Sequence, residues 1–503
     1  MKKKLHILFL VAIIAATSVS CKKILEIDPQ NQVPAADVLK DVSGYQAVLI
    51  SVYDRLQSYT FYGRDMALEG DVLADNVFTV TALNIRYQGQ NVNTRGSHYN
   101  IWTQAYGAIL DLNTIIAGID AVPVTGDAQK LLQAQIKSEA YALRGLMYFD
   151  IARVYGYEPK KIPTTGPGSG FNKSAVIRLN PTLTAADTVR KNRSTIDETY
   201  TQIENDLKAA ITSYKALYVL PGAVASTKLP TNPYRFTESA THAVLGKLYL
   251  YAERWSDAVT EFNNALDPTI KIATLAPITA GGYAAAFKKI PNPESFLELY
   301  YNQSVEVAGV TGSNDAPFTY TQPSGFNAAN VSTFGSQTVS AELLALFTAT
   351  DDRKALFFSS RSNVNANVYT WANKYSGSNG SFTDNIWMIR YSDVILMKAE
   401  ALANQGLYTD AQLLVQQLRT NRNVTTPAVP ATAAILTFIQ DERRRELFFE
   451  GHRFFDLKRL GNGITKPAAT AVGTIASTDF RVLAPLPVAE VALNPLLPQN
   501  PNY

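Results

Sequence analysis

The sequence predicts a mainly α-helical protein whose helices pair and stack, with a loop-rich insertion and an extended C-terminal tail. Apolar residues recur at three- and four-residue steps in several long stretches, which is the spacing of one helix face. The insertion, residues 271–386, loses this periodicity and is rich in Gly, Ser, Asn, Thr and aromatic residues. The tail, residues 482–503, carries a proline every few positions, which favours extended backbone.

Four helices are predicted N-terminal to residue 240. The first begins near Asp41, where its apolar stripe starts, and the second covers about 98–119. The third covers 128–155 and stops at Gly156, because glycine is a common helix terminator. The fourth begins at Ser194, whose hydroxyl we expect to cap the helix N-terminus.

Residues 240–267 give the most regular pattern in the chain. Small residues lie where two helices would cross, and aromatic residues fill the space beside them. These residues are Leu245, Gly246, Tyr249, Ala258, Phe262 and Ala265. The spacing resembles a tetratricopeptide repeat, which is a pair of antiparallel helices. A second hairpin covers 391–419, and the helices at 128–155 and 196–213 form a third pair. Because one pair cannot bury its apolar face alone, the pairs must stack.

The N-terminus has the three-part pattern of an exported lipoprotein. Three lysines are followed by an apolar run at 5–16 and by small residues before Cys21. This run is too short to span a hydrocarbon core of about 30 Å. We therefore predict a signal peptide at 1–20, a lipid on Cys21 and a lipidated tether at 21–40. Several acyl chains on one cysteine would anchor the protein stably in a membrane. An ordinary signal peptide that happens to precede a cysteine is the alternative.

Charge and cysteine content exclude some function classes. The chain has 46 basic and 43 acidic residues, and removal of the three signal lysines leaves the mature chain formally neutral. Nucleic acid is therefore a poor partner, because no basic surplus remains to neutralise phosphates. Cys21 is the only cysteine, so the chain cannot form an internal disulfide. The 26 tyrosines and 22 phenylalanines suit a packed helical scaffold or a surface that stacks neutral ligands.

Four segments together resemble one protein family. They are AYALRGLMYF at 140–149, WMIRYSDVILMKAEAL at 387–402, IQDERRRELFFEGHRFFDLKRL at 439–460, and LPVAEVALNPLLPQNPNY at 486–503. Their order and spacing, together with the lipoprotein signal, are similar to those of the SusD/RagB outer-membrane nutrient-binding lipoproteins. The resemblance covers essentially the whole mature chain.

The resemblance implies a fold and a function. The fold would be a tetratricopeptide-like scaffold, with an N-terminal helical region at 41–270 and a C-terminal region at 271–503. Members of this family bind oligosaccharides, or in some branches peptides, at the cell surface. They deliver them to a TonB-dependent outer-membrane transporter of the SusC type and are not enzymes. The implied location is the cell outer membrane, lipid-anchored and facing outward, and no cofactor or metal is implied.

Ligand capture needs flat aromatic faces and polar groups that bond hydroxyls. The loop at 71–99 and the insertion supply both, and family ligand sites draw on equivalent regions. The candidate ligand-binding residues are Asp75, Asn76, Arg86, Tyr87, Tyr99, Tyr320, Tyr369 and Trp371.

Two other function classes compete with ligand capture. A glycosidase needs two carboxylates, and the candidates are Asp71 with Asp75 and the adjacent residues 351–352. Acidic pairs are common among 43 acidic residues, so this alternative is weak. A tetratricopeptide scaffold that binds other envelope proteins, without a small ligand, is the stronger competitor. The arginine run at 443–445 could bind phosphate, but neighbouring glutamates at helical spacing favour a structural role.

Overall fold

The computed structural model describes residues 38–83, 85–184, 187–276, 282–302, 316–323, 333–362, 365, 367–380, 382–470 and 472–503. The predicted signal peptide, Cys21 and most of the tether lie outside these residues. No helix in the described part of the chain is long and apolar enough to cross a membrane.

The described chain is mainly helical, as predicted. In the N-terminal half the helices are α1 (Val42–Leu56), α2 (Asp65–Leu73), α3 (Gln88–Asn91), α4 (Trp102–Gly118), α5 (Asp127–Tyr155), α6 (Ile196–Leu217), α7 (Ala225–Lys228), α8 (Glu238–Tyr251) and α9 (Trp255–Ala265). In the C-terminal half they are α10 (Gly282–Phe287), α11 (Pro317–Thr321), α12 (Ala341–Leu344), α13 (Tyr391–Ala403), α14 (Tyr408–Asn421), α15 (Ile435–Glu446), α16 (Arg453–Arg459) and α17 (Val488–Leu493).

The helix termini follow local chemistry. The Asp41 side chain accepts a hydrogen bond from the amide of Gly44 at 2.9 Å and caps α1. The predicted cap of α6 was one residue early. Thr195, not Ser194, caps this helix, because it forms a capping box with Glu198.

The predicted helix pairs are present. A Cβ added at Gly246 of α8 would lie 2.6 Å from the Phe262 ring of α9, so glycine is needed where these helices cross. A Cβ added at Gly145 of α5 would lie 2.9 Å from the Leu207 side chain of α6. Helices α13, α14 and α15 share a second apolar core that runs from Ile395 to Ile439. A larger core joins most of the other helices with part of α13 and includes buried residues from Val42 to Leu497.

Short antiparallel strands lie beside the helical scaffold. They are β1 (Val77–Thr79), β2 (Ser295–Leu299), β3 (Gln337–Val339), β4 (Phe357–Arg361), β5 (Val368–Ala372) and β6 (Ile386–Arg390). They pair as β1 with β3, β2 with β6 and β4 with β5. The described parts of the predicted insertion thus contain strands and short helices. The proline-rich tail includes the short helix α17, which begins directly after Pro487.

A buried ion network joins the C-terminal helices to the strands. Arg353, Arg390 and Arg422 each contact the carboxylate of Glu446, at 3.1, 3.2 and 2.8 Å. The arginine run at 443–445 belongs to the same region and has the structural role predicted for it. Most of its partners, however, lie on other elements. Arg443, for example, pairs with Asp393 of α13 and Asp456 of α16.

Candidate functional site

Three tyrosine rings surround the guanidinium of Arg64 close to the surface. We call this group, with its neighbours, the arginine–aromatic cluster. It consists of Tyr59, Arg64, Asp65, Arg86, Tyr87, Tyr320 and Phe334. Its members come from the turn between α1 and α2, the loop before α3, helix α11 and the segment before β3.

Arg64 is the centre of the cluster. Its guanidinium carbon lies 4.8 Å from the ring centre of Tyr59, 5.5 Å from that of Tyr87 and 4.9 Å from that of Tyr320. Its Nε donates to Asp65 Oδ1 at 2.7 Å, and its Nη1 donates to the Tyr320 hydroxyl at 2.8 Å. Cation–π contacts and charge-assisted hydrogen bonds therefore fix the three rings relative to one another.

Tyr87 is held in an unusual backbone conformation. Its φ of 56° lies in the left-handed region, which non-glycine residues seldom adopt. The Tyr87 hydroxyl donates to Asp65 Oδ1, and its ring lies 5.0 Å from the ring of Tyr320. Such local strain is often found at binding sites, where surrounding contacts maintain it.

Arg86 extends the cluster toward β3. Its guanidinium carbon lies 3.8 Å from the ring centre of Phe334, which meets Tyr320 edge-on at 5.5 Å. The Gln337 side chain donates to the Arg86 carbonyl at 2.7 Å, which ties this loop to β3. Tyr59 is half exposed (50%), and the side chains of Arg86, Tyr87 and Phe334 are partly exposed.

Burial and charge set the protonation of the cluster. Burial opposes the charge on Arg64, but Tyr87 and Asp65 outweigh it and raise the pKa of its guanidinium above the ordinary value. Burial, with a smaller contribution from the Asp65 carboxylate, raises the pKa of Tyr87 well above its ordinary value. Glu69, deeper in α2, has its pKa raised well above the ordinary value, mainly by burial. At neutral pH Tyr87 therefore keeps its hydroxyl proton and Arg64 keeps its charge.

A second aromatic group adjoins the cluster. Trp371 donates its indole N–H to the Gly335 carbonyl at 2.8 Å, next to Phe334. Phe358 stacks on Trp371 at 5.9 Å, and Tyr369 meets it edge-on at 6.0 Å. The Tyr369 hydroxyl accepts a hydrogen bond from the Asn365 amide at 2.9 Å. Hairpin β4–β5 thus supports the segment that carries Phe334.

The structure brings five of the eight predicted residues together around segment 333–337. These are Arg86, Tyr87, Tyr320, Tyr369 and Trp371. Trp371 has no exposed surface (0%) and Tyr320 very little (4%), so both support the site from beneath. Arg86, Tyr87 and Tyr369 are the members with accessible side chains, and ligand contact by them stays a prediction.

The other three predicted residues lie in the interior. Asp75 accepts two hydrogen bonds from Arg453, at 2.7 and 2.8 Å. Asn76 donates to Asp71 and accepts from Arg444. Tyr99 stacks on Phe455 at 5.4 Å. Asn76 and Tyr99 are each 1% exposed, so neither presents a surface to a ligand in this conformation.

Sequence reasoning missed four members of the cluster. Tyr59, Arg64 and Asp65 follow the end of α1, and Phe334 lies in the aperiodic insertion. The aromatic-rich stretch at 59–62 directly before Arg64 is the signal that could have indicated them. Their convergence depends on contacts across more than 250 residues, for which no local spacing exists.

A cavity of about 500 Å³ lies against different residues, on α4, at 176–182 with Thr188, and on the C-terminal segment 490–497. The arginine–aromatic cluster is the better candidate for the main ligand site, because it offers one half-exposed ring (Tyr59) and two partly exposed rings (Tyr87 and Phe334) beside fixed polar groups.

Two family models match the chain. Residues 357–503 match a model described as the SusD family. Residues 25–250 match a model described as "Starch-binding associating with outer membrane". Together these two matches cover most of the sequence, and they lie in both its N-terminal and its C-terminal half.

Known proteins resemble the chain over its full length. SusD-like protein P38 of Formosa agariphila is 26% identical over 530 aligned residues, which cover 100% of this chain and 99% of that protein. A SusD superfamily protein from Bacteroides thetaiotaomicron superposes with a TM-score of 0.76 at 23% identity, covering 92% of this chain and 100% of that one. A SusD-like carbohydrate binding protein from Bacteroides vulgatus gives 0.72 at 21% identity, covering 91% and 97%. These structures share the fold.

Proposed function

Because the chain belongs to the SusD/RagB family, we propose that it captures an oligosaccharide at the arginine–aromatic cluster and delivers it to a TonB-dependent outer-membrane transporter. The observation that carries the proposal is the set of tyrosine rings fixed around Arg64, of which Tyr59 is half exposed and Tyr87 partly exposed. The description of the N-terminal family model, starch-binding and associated with the outer membrane, supports a glycan as the ligand class.

The cluster suits a sugar on physical grounds. The apolar face of a sugar ring can pack on an exposed tyrosine such as Tyr59 or Tyr87, while its hydroxyls bond nearby polar groups. Asp65 holds both Arg64 and the Tyr87 hydroxyl in place before any ligand arrives. A preorganised site loses less conformational entropy on binding, which increases affinity.

We propose binding without catalysis. The carboxylates considered for a glycosidase are engaged in structural contacts. Asp71 is fully buried and accepts hydrogen bonds from Asn76 and the Gly451 amide. Asp351 is buried and accepts from Arg353 at 2.8 Å. These engagements support a binding protein over a hydrolase.

The location and partner are further parts of the proposal. Cys21 carries the lipid that holds the protein at the outer membrane, and a SusC-like transporter is the partner that receives the ligand. Affinity purification of the tagged full chain from its native membranes should recover a TonB-dependent barrel. Replacement of Cys21 by Ala should release the protein from the membrane fraction. Protease treatment of intact cells should cleave an outward-facing protein, and survival of the protein would contradict that orientation.

A ligand screen tests the binding function. The mature chain, residues 22–503, is applied to glycan and peptide arrays beside its Tyr87→Ala and Tyr408→Ala variants. Tyr408 is the matched control, because it is a partly exposed tyrosine on α14, outside the cluster. We expect glycan signals that Tyr87→Ala reduces and Tyr408→Ala does not. Peptide signals with the same dependence would change the ligand class, and no ligand of either class would favour the scaffold alternative.

A further inference from the structure

We propose that the cavity between α4, residues 176–182 with Thr188, and the C-terminal segment 490–497 is a second saccharide-binding site. It shares no lining residue with the arginine–aromatic cluster, so the inference goes beyond the function proposed above. Its volume of about 500 Å³ lies within the range of small-ligand sites, roughly 300–1,000 Å³.

The floor of the cavity is a fixed aromatic pair. The rings of Trp102 and Tyr106 lie 4.6 Å apart on α4. The Tyr106 hydroxyl accepts a hydrogen bond from the Val176 amide at 2.6 Å and donates to its carbonyl at 3.2 Å. Because the hydroxyl is occupied by the loop, the ring cannot turn away, and its partly exposed face stays directed to the cavity. A flat apolar face of this kind suits the C–H face of a sugar ring.

The walls are also held in place. The Tyr148 hydroxyl donates to the Arg178 carbonyl at 2.6 Å, and Asn113 donates to the same carbonyl at 2.9 Å. Asn494 of the C-terminal segment donates to the Lys191 carbonyl at 2.9 Å, which joins this segment to the chain shortly after Thr188. The cavity is therefore formed by residues far apart in the chain and does not depend on a ligand for its shape.

The polar groups around the cavity match the hydroxyls of a neutral sugar. Three threonines and one glutamate line it, and none of these side chains makes a hydrogen bond or ion pair within the described structure: Thr103, Thr182, Thr188 and Glu490. Arg178 lines it too and donates from one nitrogen to the Val189 carbonyl. The other arginine, Arg55, is already paired with Asp111 at 2.9 Å. The remaining cation and Glu490 balance each other, which favours an uncharged ligand.

The second site would strengthen the capture of a long chain. Two contacts on one polysaccharide make the second binding event intramolecular, so the overall affinity exceeds that of either site. Short sugars would bind the two sites independently, which allows the sites to be separated experimentally.

The test uses the mature chain with the Tyr87→Ala replacement, so that the cluster contributes little. The probes are the monosaccharides glucose, galactose, mannose and N-acetylglucosamine and disaccharides built from them. Their binding is measured by saturation-transfer NMR and calorimetry. We expect residual binding of at least one probe. Glu490→Ala should weaken that binding at least about tenfold, because a charge-assisted hydrogen bond is lost. Thr188→Trp should abolish it by filling the cavity mouth, whereas Thr212→Trp, on the exposed surface of α6, should leave it unchanged.

Two results would overturn the inference. One is the absence of residual binding by every probe, and the other is residual binding that neither Glu490→Ala nor Thr188→Trp changes. The same variants test the proposed main site separately. If Tyr87→Ala has no effect on the unmodified chain while Glu490→Ala removes all binding, the cavity is a saccharide site and the cluster is not. Thermal denaturation of each variant confirms that it folds.

Discussion

Arginine serves two different purposes in two regions of this molecule. In the buried ion network, Arg390 and Arg422 each lie against the carboxylates of both Glu294 and Glu446 and are at most 1% exposed. In the arginine–aromatic cluster, Arg64 is surrounded by three tyrosine rings at a partly open surface. The network joins distant elements of the chain, while the cluster holds the Tyr59 and Tyr87 rings where part of each side chain is exposed to solvent.

The difference shows how to separate a structural arginine from one at a binding site. Burial opposes ionisation of Glu446, but Arg422 and Arg390 outweigh it and hold its pKa well below the ordinary value. Such a site is complete without a ligand. Rings placed by a cation, in contrast, are useful only when something packs on their exposed faces. The surroundings of each guanidinium therefore say more about its purpose than the number of arginines does.

Disruption of the network should have the largest effect on stability. Glu446→Gln removes the charge shared by three buried guanidinium groups and should lower the free energy of unfolding by about 3–5 kcal/mol. Chemical denaturation followed by circular dichroism measures this loss. Glu490→Gln is the control and should change stability by less than about 0.5 kcal/mol, because its side chain is partly exposed and unpaired. Equal effects of the two substitutions would mean that the network contributes nothing specific.

A substitution at Trp371 tests whether this residue supports the site from beneath or contacts the ligand. Trp371→Phe keeps an aromatic ring but loses the hydrogen bond to the Gly335 carbonyl, so the free energy of unfolding should fall by about 1–3 kcal/mol. Ligand affinity should fall much less than in Tyr87→Ala, because Trp371 has no exposed surface. Calorimetric titration beside thermal denaturation separates the two effects. A large loss of affinity at unchanged stability would place Trp371 in direct contact with ligand.

His242 forms a smaller set of buried ionic contacts, whose contribution to stability depends on pH. It lies between Glu238, at 3.7 Å, and Glu261. Burial opposes its protonation, but the two carboxylates outweigh burial and raise the pKa of the imidazole. A raised pKa in the folded state contributes stability that is complete below about pH 6.5, the unfolded value, and is lost as pH rises through the folded value.

The stability difference between the wild type and His242→Gln should therefore be larger at about pH 6 than at about pH 9. Denaturation curves at both pH values measure it. A difference that is constant with pH would show that folding does not raise the pKa of the imidazole.

Much of the fold was predictable because helices and helix pairs leave a local signal. The hairpin at 240–267 was predicted from the spacing of Gly246 and Phe262, and the structure places these two residues in contact. The structural role of the arginine run was predicted as well. Its partners were not, because Asp393 and Asp456 lie on other helices and tertiary contacts have no fixed spacing.

The candidate site was predictable only in part. Arg86 and Tyr87 were identified by residue type in a polar loop, and both belong to the cluster. Asn76 and Tyr99 come from the same loop but are buried, because Asn76 bonds Asp71 of α2 and Tyr99 packs on Phe455 of α16. Residue type alone does not distinguish a tyrosine that faces solvent from one that packs on Phe455.

The most direct test of the binding account is the affinity of Tyr59→Ala and Tyr87→Ala for a glycan identified by the array, measured by calorimetry beside Tyr408→Ala. Each cluster variant should bind at least about fivefold more weakly, corresponding to about 1 kcal/mol, because it loses a ring that packs on the sugar. The melting temperatures of Tyr59→Ala and Tyr408→Ala should stay close to that of the wild type. Unchanged affinity in both cluster variants would contradict the assignment of the ligand site to these rings.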